Sequence, residues 1–413
     1  MPLTPYLARS ADGVLREIVE DHAAVLVVGP RATGKTTTCQ QHAASTIRLG
    51  DPTVAQAFAI DPRSVIEGLP EPILIDEWQE VPQSLQVIKL AVDDQPARGR
   101  FIVTGSVRGD IDSPTWPGTG RLVRLAMYGL TEREIEHRSD ADSWLHHLVA
   151  TGESGTHRSD ESLRDYVRRA LRSGFPDAAL FGSARGRGRW LTSYVDQVVT
   201  RDAASITPGR DPQRLRAYLT AVALNSAGVV DDTTLWTAAG ITKDTARAYD
   251  SLLQSLFIID RLPAWTSNQL KRLTLASKRY LVDSGLFTGI LGVTEDDVVL
   301  NGDLVGRLLE TFVVAQVRAE LALMSPSPRM HHLRTGEGRH ELDMVLEVGP
   351  AALIGIEIKA TSTPDPGDAQ HLRWFRRELG NQVRATVLLH TGPNTLRFDD
   401  GTVAVPISAL WSP

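Results

Sequence analysis

The sequence predicts an α/β protein of three regions, and three patterns along its 413 residues support this prediction. An apolar run near the start ends in a glycine-rich loop, which is typical of a buried strand followed by a phosphate-binding loop. The middle places apolar residues at helical spacing, and near the end two strand-like segments gather acidic residues. We therefore expect domains at residues 1–140, 160–298 and 299–413, with a polar boundary at residues 136–162.

The glycine-rich loop at residues 29–36 matches GxxxxGK[ST] in full. In this motif the backbone N–H groups close around phosphate oxygens, the lysine reaches the β- and γ-phosphates, and the hydroxyl holds Mg²⁺. A strand-like run at residues 25–28 precedes it and a helical pattern follows, which favours a real motif over a chance match. ATP is the expected ligand and Mg²⁺ the expected cofactor. The residues expected to bind the nucleotide are Gly29, Pro30, Arg31, Ala32, Thr33, Gly34, Lys35, Thr36 and Thr37.

A second motif, PILIDE at residues 72–77, reads as an apolar strand that ends in two acids. Together with Thr36, Asp76 would hold Mg²⁺, and Glu77 would polarise the attacking water. A further strand at residues 101–104 leads to Ser106, which either orients the same water or belongs to a strand-ending turn. Because residues 46–49 read as one more strand before the acidic motif, the order of strands resembles that of AAA-type ATPases.

The segment GTGR, which ends at Arg121, precedes another apolar strand at residues 122–127. In AAA-type ATPases an arginine just before the fifth strand often reaches the γ-phosphate bound to a neighbouring subunit. This resemblance makes Arg121 the candidate finger, with Arg108 as a weaker one, and it implies a homo-oligomer. The alternative is an exposed arginine beside a glycine-rich turn.

The middle region suits a winged helix-turn-helix, with helices at residues 212–224, 233–239 and 243–256 and strands at 257–262 and 280–282. Its would-be recognition helix balances Lys243 and Arg247 against Asp244 and Asp250, which favours a scaffold or protein-contact role over DNA reading. Two arginine clusters, at residues 164–172 and 185–189, either contact phosphates or form solvated helix faces.

The last region carries a second set of chemical residues. The alternation of residues 341–347 places Asp343 on one strand face, and that of residues 354–359 places Glu357 and Lys359 together. With Glu310 on the preceding helix, the set resembles the E…D…ExK arrangement of restriction-endonuclease-like folds. There, carboxylates hold Mg²⁺ against the scissile phosphate and the lysine helps to generate the attacking hydroxide. The resemblance implies metal ligation by Glu310, Asp343 and Glu357, whereas the alternative is a retained fold whose acids are structural or bind a ligand without cutting.

Motifs along almost the whole chain resemble prokaryotic AAA-type ATPases with a C-terminal restriction-endonuclease-like domain. Besides the loop they are IDEWQEVP, TGS, GTGR, GFP, TKDTARAYDSLLQSLFI, KRYLVDSGL, GRLLETFV, ELDMVLE and IGIEIKA. The resemblance implies an ATPase coupled to a nuclease-like domain that acts on nucleic acid. Two alternatives stay open: an ATP-gated regulatory or defence-type protein, such as half of a toxin–antitoxin pair, that binds a protein partner without cleavage, and a DNA-binding regulator. Residues 128–131 depart from the proline, apolar residue and serine usual in this family.

Composition sets the remaining expectations. The net charge of −6 offers no general argument for nucleic-acid binding, and the single cysteine, Cys39, excludes a disulfide within the chain. No apolar run approaches the length of a membrane span, and the first residues lack the apolar core of a signal peptide. We therefore expect a soluble cytoplasmic protein with no membrane partner.

Overall fold

The computed structural model describes residues 6–106, 120–140, 142–180, 182–206, 210–268, 275–335 and 338–412. The chain forms two compact units, Met1–Leu130 with Gln254–Phe257, and Thr131–Leu253 with Ile258–Pro413. The predicted middle and C-terminal regions thus lie in one unit, because side-chain hydrogen bonds such as Ser226 to Thr311 join them. Among the described helices, not one has both the length and the apolar character that crossing a bilayer requires.

A parallel sheet organises the first unit. Its strands in chain order are β1 (Ala24–Val28), β2 (Ser45–Arg48), β3 (Ile73–Asp76), β4 (Phe101–Gly105) and β5 (Leu122–Ala126). In space they follow the order β2-β3-β4-β1-β5, and every neighbouring pair is parallel. β4 therefore separates the strand that leads into the phosphate loop from the strand that ends in Asp76, and the predicted AAA-like P-loop fold of this region is confirmed.

Burial explains why these strands appear in the sequence as continuous apolar runs. Every residue of β1, β3 and β4 is buried, as expected for the centre of a parallel sheet. The helices of this unit are α1 (Ala11–Asp21), α2 (Lys35–Gln40), α3 (Pro52–Ile60), α4 (Pro62–Ile66) and α5 (Ser84–Asp94). Because parallel strands end at a common edge, the ends of β1, β3 and β4 bring their following residues together.

Helices fill most of the chain between residues 132 and 255. They are α6 (Glu132–Ile135), α7 (Trp144–Thr151), α8 (Leu163–Arg172), α9 (Pro176–Ala179), α10 (Ala184–Gln197), α11 (Ala203–Ile206), α12 (Pro212–Leu224), α13 (Asp232–Ala238) and α14 (Lys243–Ser255). An antiparallel pair follows, β6 (Ile259–Leu262) and β7 (Lys278–Leu281). α12 begins where Asp211 accepts a bond from the Gln213 N–H at 2.9 Å, with Pro212 in the first turn. The elements follow the predicted order, and the winged-helix assignment stays a prediction.

A six-stranded mixed sheet closes the chain. The helices and strands from residue 286 onward are α15 (Leu286–Leu291), α16 (Glu295–Val299), α17 (Gly302–Leu321), β8 (Arg329–Thr335), β9 (His340–Gly349), β10 (Ala352–Lys359), α18 (Gln370–Leu379), β11 (Val383–His390), β12 (Leu396–Arg397) and β13 (Val403–Pro406). The six strands among them form the sheet. The strand order is β12-β13-β11-β10-β9-β8. β8, β9 and β10 form an antiparallel meander, and α18 carries the chain from β10 to the parallel strand β11.

The packing of α18 on this sheet depends on Gly355. A Cβ there would lie 3.1 Å from the ring of Phe375 and 3.3 Å from Leu372, both of which are buried. The glycine therefore lets the helix approach β10, the strand that carries Glu357 and Lys359.

Candidate functional site

Two glycines shape the phosphate loop. Gly34 has φ 86°, in the left-handed region that glycine adopts without strain. A Cβ at Gly29 would lie 1.9 Å from the carbonyl oxygen of Met127, the residue after β5. Thr33 is buried and donates to the Pro30 carbonyl at 2.9 Å. The loop is thus held in its shape by its own residues.

Arg9 also holds the loop, and the sequence analysis did not identify it. Its buried guanidinium donates to the carbonyl oxygen of Thr33 at 2.8 Å and to that of Tyr128 at 2.9 Å. It therefore ties the segment before α1 to the phosphate loop and to the chain after β5. An isolated arginine near the start of a sequence carries no signal for such a role.

Lys35 lies inside the loop with its ammonium on backbone carbonyls. Its Nζ donates to the Gly29 oxygen at 3.0 Å and to the Pro30 oxygen at 2.6 Å. Burial lowers the pKa of Lys35 to about 8, against the opposing influence of Glu77. An anionic phosphate oxygen would be a stronger partner than a neutral carbonyl, so the position suits the β- and γ-phosphates.

The Thr36 hydroxyl of the phosphate loop faces Asp76, the first acid of the second motif. Thr36 Oγ1 donates to Asp76 Oδ1 at 2.7 Å, and Thr104 Oγ1 donates to the same oxygen at 2.5 Å. Hydroxyl and carboxylate oxygens are the donors that Mg²⁺ prefers, and these two arise from separate motifs. The residues present therefore fit a magnesium ion held between Thr36 and Asp76.

Thr104 connects Asp76 to Glu77. Besides its bond to Asp76, its Oγ1 accepts the backbone N–H of Glu77 at 3.2 Å. The sequence analysis placed the polar residue of this strand at Ser106 and overlooked Thr104, although a hydroxyl near the end of an apolar strand was a visible signal. Ser106 is buried directly after β4, and its water-orienting role stays a prediction.

Glu77 has an unusual backbone. Its φ is 61°, a left-handed conformation that costs a non-glycine residue on the order of 1 kcal/mol and is concentrated at functional sites. The side-chain amide of Gln79 donates to Glu77 Oε2. A Cβ at Gly105 would lie 2.2 Å from Trp78 Nε1 and 3.1 Å from Gln79 Oε1, so the end of β4 makes room for this turn.

Arg121 lies at the amino ends of the strands, opposite the carboxyl ends where the phosphate loop begins. It precedes β5, whose first residue Leu122 pairs with Ala24 at the start of β1, while the loop follows Val28. At about 3.3 Å per residue the separation along the strands is roughly 16 Å, too far for Arg121 to reach phosphates bound in its own loop. The half-exposed side chain pairs with Asp93. Arg108 lies outside the described residues.

The predicted carboxylates of the C-terminal region surround a lysine that the sequence analysis did not identify. The Lys278 ammonium, on β7, lies 2.9 Å from Glu310 Oε1, 3.1 Å from Glu341 Oε1 and 3.2 Å from Asp343 Oδ1. The cation that lies between Glu310 and Asp343 is therefore Lys278 and not Lys359, the lysine of the predicted set. Burial alone would lower the pKa of Lys278, but the acidic groups around it raise the pKa well above its ordinary value.

Glu357 and Lys359 form their own pair on β10. Lys359 Nζ lies 2.8 Å from Glu357 Oε1, whereas Glu357 Oε2 is buried without a hydrogen-bond partner among the described residues. Burial and the nearby Asp343 raise the pKa of Glu357 to about 8. Burial and Asp343 likewise raise the pKa of Glu310 to about 7.

This arrangement does not fit a metal ion as it stands. In the part of the chain that the structure describes, no group of three or more His, Cys, Asp or Glu side chains is arranged to hold one. The reason is visible in the geometry, since the Lys278 ammonium lies where the acids converge. Metal ligation by Glu310, Asp343 and Glu357 stays a prediction that would require this ammonium to move.

The arginine cluster at residues 164–172 is engaged within the protein, and in the second cluster Arg187 Nε donates to the Ala178 carbonyl at 3.2 Å. Arg168 pairs with Glu295 at 3.1 Å, and Arg169 pairs with Glu132 at 2.6 Å and with Glu161 at 2.8 Å. Arg164 pairs with Asp296 at 2.6 Å. For the cluster at residues 164–172, these ion pairs favour the interpretation as a charged helix face over the binding of phosphates.

The charge balance predicted for α14 needs one correction. Asp250 is buried and accepts from Arg279 Nε at 2.8 Å, and Arg261 Nη2 lies 2.5 Å from its other oxygen. It therefore does not offset the exposed residues Lys243 and Arg247 of the same helix. Helical spacing alone could not show that this aspartate faces inward.

Three family models match consecutive parts of the chain. Residues 21–136 match a model described as an AAA domain, which agrees with the sheet order and the loop geometry. Residues 163–297 and 305–410 match two domains of unknown function, DUF8612 and DUF4143. The N-terminal region is thus an AAA-like P-loop domain, while the restriction-endonuclease-like assignment receives no support from these matches.

Similar proteins and structures cover much of the chain. The uncharacterized proteins Rv2008c of Mycobacterium tuberculosis and Mb2031c of Mycobacterium bovis are each 28% identical over 410 residues, 97% of this chain and 84% of the relative. The Walker-type ATPase PABY2304 of Pyrococcus abyssi overlays with a TM-score of 0.45 at 14% identity, covering 70% of this chain and 99% of the other. AMPPCP-bound DnaA from Aquifex aeolicus gives a TM-score of 0.27 at 11% identity, covering 59% and 85%. Because both TM-scores are below 0.5, we draw nothing about function from these two structures.

Proposed function

We propose that this protein is an AAA-type ATPase that binds and hydrolyses ATP with Mg²⁺. The observation that supports this most strongly is the meeting of Thr36 and Asp76 at 2.7 Å, beside a loop whose lysine is buried on carbonyl oxygens. A nucleotide-binding protein without hydrolysis would not need the strained acid that follows Asp76. Phosphate release by the purified protein, with and without Mg²⁺, tests the proposal.

Each residue of the site has a role in this proposal. The loop amides and Lys35 bind the phosphates, and Thr36 and Asp76 hold the magnesium ion. When bound, the ion would neutralise charge that develops on the phosphate oxygens. Glu77 accepts hydrogen bonds from the attacking water and orients it, while Gln79 fixes the carboxylate of Glu77 and Ser106 contacts the same water.

Replacement of Thr104 tests how the acids are positioned. Thr104→Val keeps the shape of the side chain. It removes the hydrogen bond that the hydroxyl donates to Asp76 Oδ1 and the one that it accepts from the Glu77 N–H. We expect hydrolysis to fall about tenfold, the loss of roughly one hydrogen bond to a charged group, with ATP affinity nearly unchanged. The Mg²⁺ concentration for half-maximal rate should rise, and Thr104→Ser should restore both values. A rate equal to wild type in Thr104→Val would show that the strand hydroxyl has no positioning role.

We further propose that Arg121 completes the nucleotide site of a neighbouring copy. Its distance from its own loop excludes a role within the same chain, whereas its half-exposed position leaves it open to a second copy. The ion pair between Arg121 and Asp93 is partly exposed to solvent, so breaking it to contact a neighbouring copy costs little free energy.

We expect Arg121→Ala to bind ATP normally but to hydrolyse it at least tenfold more slowly. The control is Arg63→Ala, which removes an exposed arginine paired with Asp94 on the same helix as Asp93. Wild-type turnover per chain should also rise with protein concentration. Constant turnover over a wide dilution series, with light scattering that shows only monomer, would contradict a role between subunits.

For the C-terminal domain, the observations weigh against cleavage, so we propose the alternative of an ATP-gated protein that binds a partner without cutting it. The order of α17, the β8–β10 meander, α18 and parallel β11 supports the restriction-endonuclease-like assignment. The Lys278 ammonium among the acids, however, supports the alternative in which this fold cuts nothing. Incubation of the protein and of Asp343→Ala with Mn²⁺ and assorted DNA and RNA, with and without ATP, decides between them. Cleavage that Asp343→Ala loses would favour the nuclease.

A further inference from the structure

We propose that Lys278 is the resident cation of the cluster formed by Glu310, Glu341 and Asp343, so that this cluster excludes divalent metal while β7 is in place. The proposal concerns the unit that contains β7 and the C-terminal sheet, and it is independent of ATP hydrolysis. The poor fit of a metal ion is then explained, because the Lys278 ammonium neutralises these acids in its place. Any metal-dependent chemistry here would then require Lys278 to withdraw.

Three carboxylates surround the ammonium of Lys278, which donates hydrogen bonds to Glu310 and Asp343 and forms an ion pair with Glu341. A lysine has three N–H donors, and three carboxylate oxygens lie at 2.9, 3.1 and 3.2 Å. The three acids come from α17 and β9, and the lysine comes from β7, so the residues converge from separate elements. Lys278 is 1% exposed, which makes it one of the most enclosed charged side chains of the described chain. A solvated surface lysine would show neither the burial nor the three partners.

The remaining bonds around the acids fit the same arrangement. Tyr280 Oη donates to Glu310 Oε1 at 2.6 Å, and the Ile358 N–H donates to Asp343 Oδ2 at 2.9 Å. Tyr280 is on β7, two residues after Lys278, so both side chains extend from one face of the strand. Asp343 is therefore fixed by the ammonium on one oxygen and by a neutral donor on the other, whereas Oε1 of Glu310 accepts from both the ammonium and the tyrosine hydroxyl.

Charge explains why loss of Lys278 should create a metal site. The Lys278 ammonium is the one cation within the described residues that contacts all three of Glu310, Glu341 and Asp343. Removal of Lys278 therefore takes one positive charge out of a space lined by carboxylate oxygens. Carboxylate oxygens suit both Mn²⁺ and Mg²⁺, and they bind Mg²⁺ at about 2.0–2.1 Å, closer than the ammonium contacts. Two cations cannot share that space.

The strand that carries Lys278 is also anchored in the helical part of the same unit. On its opposite face, Arg279 bonds to Asp250 at 2.8 Å, and its carbonyl accepts the Ala227 N–H at 2.8 Å. Within the described residues, β7 pairs with β6 alone in a two-stranded sheet. A displacement of this strand would therefore move Lys278 and its helical anchors together, which links the acidic cluster to the helices before it.

The test counts bound Mn²⁺ in the full chain without nucleotide, by electron paramagnetic resonance. We expect Lys278→Met to bind one more Mn²⁺ per chain than wild type. Saturating Mn²⁺ should raise its unfolding temperature by about 4 °C or more beyond any shift in wild type. Lys243→Met, which removes an exposed lysine of the same unit, should behave as wild type. Lys278→Met combined with Asp343→Asn should lose both gains.

A second measurement does not depend on whether Lys278→Met folds. Asp343→Asn in the otherwise unchanged protein should bind the same number of Mn²⁺ ions as wild type, because the cluster holds none. Loss of one Mn²⁺ in that variant would overturn the proposal, since the acids would then bind metal beside Lys278. A folded Lys278→Met that gains no Mn²⁺ would overturn it as well. Neither result would bear on ATP hydrolysis. If the proposed ATPase is wrong, the protein will release no phosphate from ATP.

Discussion

Glu77→Gln should bind ATP with nearly wild-type affinity and hydrolyse it about 100-fold more slowly or worse. The amide keeps the size of the side chain but can no longer act as the base that orients the attacking water, a contribution of about 100-fold or more in such reactions. The left-handed backbone of Glu77 and the bond from Gln79 indicate that this carboxylate is held in one place. Single-turnover hydrolysis together with equilibrium binding of ATP separates the two effects.

The matched control for this variant is Glu80→Gln, an exposed acid three residues farther on. It makes the same chemical change beside the same strand and should leave turnover unchanged. If Glu77→Gln hydrolyses ATP as fast as wild type, another residue positions the water.

Lys35→Ala should abolish most ATP binding. The side chain reaches the point where the β- and γ-phosphates are expected, and the loss of charged hydrogen bonds there corresponds to about 100-fold in affinity, or roughly 2.8 kcal/mol. Binding of a fluorescent ATP analogue measures the effect, and circular dichroism checks that the loop variant remains folded. Lys89→Ala, a half-buried lysine on α5, is the control. Equal affinities in Lys35→Ala and wild type would show that nucleotide binds elsewhere.

The motifs of the N-terminal site can be recognised in the sequence because their signals are local. A phosphate loop is one continuous segment, and an apolar strand that ends in Asp76 and Glu77 can be recognised without knowing its neighbours. The positions of the strands followed from apolar runs, and the observed order β2-β3-β4-β1-β5 agrees with the predicted resemblance to AAA-type ATPases. Thr104 was missed because its importance comes from facing Asp76 across two neighbouring strands.

The C-terminal cluster shows where sequence reasoning was insufficient. The acids and Lys359 could be found from their spacing. The partner that neutralises the acids, Lys278, lies 32 residues before Glu310 in the sequence, and its strand β7 belongs to a different sheet from β9 and β10. Nothing in the alternation of β7 distinguishes a lysine that faces an acidic cluster from one that faces water. The same limit applies to Asp250, whose inward direction depends on Arg279 and Arg261.

The most direct test of the account is phosphate release by the purified wild-type chain with ATP, measured with Mg²⁺ and again with EDTA. We expect steady release with Mg²⁺, almost none with EDTA, and a Glu77→Gln rate close to the EDTA background. Release that is equal with Mg²⁺ and EDTA, or a wild-type rate no higher than that of Glu77→Gln, would contradict the proposed ATPase.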